Sequence, residues 1–200
     1  MRISSLFIAT VALATTCWAQ TPADRYPERP VRLIQPFPAG GGADVAARYV
    51  GQHLSERLSQ TIVVDNRGGA GGAIGTELAA RAPADGYTLL MSTASTIVIN
   101  PLINKVPFDP LKDFDAVVSV AVVPLVLVTH PGVQAKSLRD LIALAKAQPG
   151  KINFASSGDG TISHLAGELF KVMTGADIVH IPYRGGGPAR NALIAGEVAA

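Results

Sequence analysis

The sequence predicts an α/β protein of two lobes facing a cleft, and three observations carry that expectation. Short β-rich runs alternate with stretches of helical periodicity, which is the signature of parallel βαβ units. Several of those runs end in a loop of glycines placed just before a helix begins. A long apolar β-run, Ala116 to Thr129, broken at Pro124, suits a strand passing from one sheet into another; it divides the glycine loops into two sets, and a domain crossing is expected near it. The resulting division is 26–122 for the first lobe and 123–200 for the second. At 48% hydrophobic residues, the chain has ample material for a core.

Met1 to about Ala19 reads as a cleavable export leader. Arg2 is the positive end, Ile3 to Ala14 the apolar centre, and Cys17-Trp18-Ala19 a small-x-small cleavage site. The run is too short to span a membrane. Ala14-Thr15-Thr16 also matches a lipidation signal before Cys17 poorly. Cleavage at Ala19 removes the only cysteine, so the exported part is expected to stand on its core without disulfides. Formal charge is +2 overall, and no basic run or face points to nucleic acid.

Val31 to Ile34 is the first strand and leads through Phe37-Pro38 into Gly40-Gly41-Gly42. Asp44 is placed at the N-cap of the following helix, accepting from the amides of Ala46 or Ala47. That helix runs to about Ser59, with Val45, Tyr49, Val50, Leu54 and Leu58 near an i, i+4 spacing. Thr61 to Asp65 is a second strand, Asn66 to Gly72 a second glycine loop, Ala73 to Ala82 a helix, and Tyr87 to Ser92 a third strand. Beyond the apolar run, Ser137 caps a helix that stops at Pro149-Gly150. Lys151 to Ala155 is a strand, and Ser156 to Thr161 is a loop rich in glycine and hydroxyls. A helix to about Thr174, a strand over Asp177 to Ile181 and a glycine-led helix to about Ala195 follow. Gly196-Glu197-Val198 begins a further strand, from which the chain is expected to be a piece of a longer one.

Loops of this kind place free amides beside the positive ends of helices, an arrangement suited to a small carboxylate. Enzymatic readings find less support. Gly69-Ala70-Gly71 with Gly75 has the wrong spacing for a dinucleotide loop, and there is no Gly-Lys-Ser/Thr triplet. A hydrolase would draw on Ser156 or Ser157 with His164, but no G-x-S-x-G elbow is present. His53, His130, His164 and His180 are scattered along the chain, so no metal site and no cofactor is expected. Arg67 and Arg184 stand beside the loops, as ligand counter-ions or as ordinary surface pairs.

Five stretches together resemble the Bug receptors, the extracytoplasmic solute receptors of tripartite tricarboxylate transporters. They are YPERPVRLIQPFPAGGGADVAAR, VVDNRGGAGGAIGTELAARAPADGYTLL, INPLINKVPFDPLKDF, SLRDLIALAKAQPGKINFASSGDGTISHLAGELF and DIVHIPYRGGGPA. The resemblance covers Tyr26 to Ala200. It implies a type II periplasmic-binding-protein fold without enzymatic activity, closing over a small organic carboxylate: a di- or tricarboxylate, an acidic amino acid or an aromatic acid. Carried over position by position, it implies ligand contacts at Phe37, Gly41, Gly42, Asp44, Ala70, Ser156, Gly160, Thr161 and His164. The implied partners are that ligand and the membrane components of a tripartite transporter, or a sensor protein if the receptor serves signalling. The implied setting is a periplasmic monomer. Residue 39 is Ala where the family often has Pro, and family members continue beyond the point where this chain stops.

Overall fold

The computed structural model describes residues 25–200. The stretch read as a leader, Met1 to Ala19, lies outside the described residues. Two parallel sheets organise the chain. In the first, β1 (Val31–Gln35) is central, with β2 (Ile62–Asn66) on one side and β3 (Thr88–Leu90) on the other. Val31 pairs with Ile62 and Arg32 with Thr88, so all three strands run the same way. In the second, β4 (Ile152–Ser156) pairs in parallel with β5 (Ile178–Pro182). The strands agree with the sequence expectation within a residue or two at each end.

The helices follow the same local logic. Between β1 and β2 lies α1 (Gly42–Leu58), and α2 (Ala73–Ala80) precedes β3. Gly75 is required there, since a Cβ would lie 2.5 Å from the Arg67 carbonyl and 2.8 Å from the Pro36 Cα. A π-helical turn, Ser95–Ile99, leads into the short α3 (Asn100–Ile103). Ser137 caps α4 (Leu138–Ala147) as expected, its hydroxyl accepting from the Asp140 amide. On the second sheet, α5 (Ile162–Thr174) joins β4 to β5, and α6 (Gly186–Ala195) follows β5. Each sheet has its own core. Val31, Leu33, Ala47 and Ile62 are buried together in one, and Leu141, Ala145, Ile152, Phe154, Ala176 and Ile178 in the other.

One expectation fails. Ala116 to Thr129 is not a strand: it carries no regular structure, and every residue from Ala116 to Val128 is exposed. Its apolar, β-branched composition favours a strand, but a strand needs a hydrogen-bonded neighbour, and none of the described strands pairs with it. The end of the chain is closer to expectation. Ala200 donates to the Asn153 carbonyl and accepts from the Ala155 amide, which begins a parallel ladder on β4.

Candidate functional site

Residues at and beyond the carboxyl ends of β1 and β4 line a cavity of about 150 Å³. Gln35, Phe37, Gly41, Gly42, Ala43, Thr93 and Ser95 wall it from one side. Ser157, Thr161, Ile162 and Gly186 wall it from the other. The two halves are in contact: the Ile162 amide donates to the Ser95 hydroxyl at 3.0 Å, and Arg190 reaches the Gly40 carbonyl. A larger but open depression at Ser55, Ser59, Gln60 and Thr61 lies at the other end of the first sheet, away from the glycine loops.

Three helices begin on this cavity. Gly41 is the N-cap of α1, Thr161 of α5 and Gly185 of α6, and none of the three makes a side-chain cap hydrogen bond. The first-turn amides of a helix have no acceptor of their own. Apart from the Ile162 amide, which donates to Ser95, and the Asp44 amide, which donates to the Gly41 carbonyl, they are left for something else, and each helix end carries about half a positive charge. No charged side chain lines the cavity among the described residues. The contrast with α4, which lies away from the cavity and is capped by Ser137, shows how local the pattern is.

Asp44 is not the N-cap. The helix starts two residues earlier, because extended Gly41 (φ −82°, ψ 167°) already serves as the cap. Asp44 falls in the first turn and reaches backward instead, much as the acidic member of a capping box does. It is 3% exposed; its Oδ2 accepts from the Gly40 amide at 2.9 Å and from Arg48 at 3.0 Å, and its Oδ1 from Asn66 at 2.8 Å. Burial pushes this carboxyl up, but the donors from Arg48, Gly40 and Asn66 outweigh it and hold it below the usual range. Its role is to shape the loop from behind.

Of the residues expected at the site, Phe37, Gly41, Gly42 and Thr161 line the cavity. Asp44, Ala70, Ser156, Gly160 and His164 do not line it. The Ala70 carbonyl accepts from Asn100, and the Gly160 amide donates to Nδ1 of His164. Thr161 is 1% exposed and gives its proton to the Gly158 carbonyl at 2.7 Å, so its hydroxyl braces the loop. Ser157, on the cavity wall, accepts from Ser163 and keeps its own proton free. Arg67 pairs with Asp65, and Arg184 is exposed and off the cavity wall. Gln35, Thr93 and Ser95 carry no glycine-loop signal. Only their positions at the end of β1 and just past the end of β3 could have marked them.

The histidines are less scattered than their spacing suggests. His164 and His180 stack at 3.9 Å with Asp159 beside them, and His180 Nε2 lies 2.6 Å from the Ser156 hydroxyl. Serine, histidine and aspartate in that order resemble a hydrolytic triad, with His180 in the place expected of His164. The details do not fit nucleophilic catalysis. Ser156 is 1% exposed and hydrogen-bonded to both the carbonyl and the amide of Gly158. The second link, from His180 Nδ1 to Asp159, is 3.7 Å, beyond hydrogen-bond range. Nor do the rings fit a metal ion as they stand. They are parallel within 10°, so their in-plane lone pairs do not converge on one point. Burial, and then His164 alongside, push His180 toward the neutral form.

Comparison with known proteins agrees with this geometry. The family model described as "Tripartite tricarboxylate transporter family receptor" matches residues 46–200. Protein BugT of Bordetella pertussis is 46% identical over 202 residues, which covers 100% of this chain and 61% of BugT. Among solved structures, R. palustris Rpa4515 with adipate superposes with a TM-score of 0.85 at 38% identity, covering 87% of this chain and 58% of that one. MatC from Rhodopseudomonas palustris with bound malate gives 0.78 at 28% identity, covering 87% and 60%. The chain thus spans about three fifths of the length of these relatives. With three uncapped helix ends on one cavity and a family model matched over most of its length, this chain belongs to the receptor family of the tripartite tricarboxylate transporters, a family of solute-binding receptors with the type II periplasmic-binding-protein fold.

Proposed function

We propose that the protein is a periplasmic receptor that holds a small organic carboxylate in the cleft between its sheets and delivers it to the membrane components of a tripartite transporter. One observation carries the reading: three helix N-termini without side-chain caps meet at a cavity lined by no charged side chain among the described residues. Such a site favours an anion bound by neutral donors. The volume, about 150 Å³, suits a small acid and lies well below the 300–1,000 Å³ of pockets for drug-sized ligands. That Rpa4515 and MatC hold adipate and malate supports a carboxylate of this size. The leader read from the sequence supports export to the periplasm.

A thermal-shift screen against organic acids, sugars and cationic amino acids tests the reading. A bound acid at a hundred times its Kd should stabilise by about 2.7 kcal/mol. Ser157→Ala should weaken binding by about tenfold, as expected for loss of one charge-assisted donor. Thr161→Val should lower the melting temperature without ligand and change affinity less. Stabilisation by sugars alone would overturn the carboxylate assignment. Consumption of the acid by wild type but not by Ser156→Ala would overturn the receptor assignment.

A further inference from the structure

Gln35 is the last residue of β1, the central strand of its sheet. Alternate positions on a strand face the same side, so Gln35 follows Val31 and Leu33. Those two are core beneath α1, but at Gln35 the helix is only beginning and the cavity opens. The carboxamide is completely buried, and neither its Nε2 nor its Oε1 has a hydrogen-bond partner. Exchanging the two atoms would not help, since both are orphaned. Thr93 repeats the condition: its hydroxyl is buried, unpartnered and on the same cavity. The Met91 amide bonds the Ile34 carbonyl, which carries the chain beyond β3 past the end of β1. Buried polar groups almost always have partners, so two such side chains on one cavity wall mark where a ligand completes the set.

The unmet needs define the ligand. Gln35 Nε2 and the Thr93 hydroxyl can donate, while Oε1 requires a donor from the ligand. A carboxylate alone only accepts and would leave Oε1 unpaired. A carboxylate with a hydroxyl on the adjacent carbon answers both: the hydroxyl donates to Oε1, and its oxygen or the carboxylate accepts from Nε2 and Thr93. An ammonium in that place would also donate, but it would set a positive charge among three positive helix ends. We propose that Gln35 and Thr93 form a hydroxyl-reading subsite, so that the protein selects a short 2-hydroxycarboxylate over its deoxy and amino analogues. The inference rests on the carboxylate-receptor reading above.

Calorimetric titration with matched acids tests it: malate against succinate and aspartate, lactate against propionate and alanine, mandelate against phenylacetate and phenylglycine. In whichever series binds, the hydroxy acid should be tighter by about tenfold or more, because a site built for a hydroxyl rejects the analogue without one. Gln35→Met keeps the volume and removes the carboxamide. It should bring hydroxy and deoxy acids to within about twofold while raising the melting temperature of the unliganded protein, since an unpaired buried amide is gone. Thr93→Val, made separately, should narrow the ratio in the same direction. Equal affinities within every series would overturn the subsite and leave the receptor reading standing. So would a Gln35→Met protein that melts lower and loses both acids alike. Binding of no acid at all would bring down the receptor reading and the subsite with it.

Discussion

Asp44 shows how one side chain can belong to a site without touching a ligand. Its carboxylate gathers the Gly40 amide, Arg48 and Asn66. That ties the glycine loop to α1 and to the end of β2. Asp44→Ala leaves those donors short of an acceptor and should cost about 1.5–3 kcal/mol in urea unfolding, since the lost bonds are to a charged group. The sign of its pH dependence follows from the depressed folded pKa. The contribution is present above the ordinary value of 3.8 and is lost as the pH falls through the lower folded value. Asp44→Asn should therefore flatten the acid limb of the stability profile. An unchanged limb would mean that the three donors do not hold the ionised form.

The pair of elements β5 and α5 is coupled through His180 and His164. His180 projects from β5 against Phe154 of β4 and His164 of α5, while Asp159, Glu168 and Lys171 also face it. Burial first, then His164, keep its folded pKa below the usual 6.5, with Asp159 and Glu168 opposing. The unfolded chain therefore binds the proton more readily. The stability contributed by the neutral ring is full above about pH 6.5 and is lost as the pH falls from there through the folded value. Melting curves between pH 7.5 and pH 5 should show this decline, and His180→Gln should flatten it. A variant with the same slope as wild type would place the acid sensitivity elsewhere.

Across the whole molecule, the run from Ala116 to Val128 is the largest departure from a closed core. Val117, Val118, Val122, Val123 and Val126 are each at least 75% exposed. A continuous apolar stretch of this kind drives association. Sedimentation of the 200-residue polypeptide at micromolar concentration should show concentration-dependent association. Val118→Lys combined with Val126→Lys should relieve it. A wild-type polypeptide that sediments as a monomer throughout would contradict this reading of the exposed run.

What the sequence determined by itself is local. Short β-runs, glycine loops and the Ser137 cap identify strands, turns and helix starts, because backbone freedom and first-turn capping act within a few residues. Hence the parallel sheets and the positions of Gly41, Gly42 and Gly160 beside helix starts were legible. The family resemblance carried the overall fold further than periodicity could. Only the tertiary structure decided which groups face the cavity. That Ser156 meets His180 rather than His164, and that Ser95 meets Ile162, depends on partners 24 and 67 residues apart. Gln35 reads in the sequence as a polar residue ending an apolar strand. Its orphaned carboxamide exists only once α1, β1 and the segment after β3 have closed around it and water has been excluded.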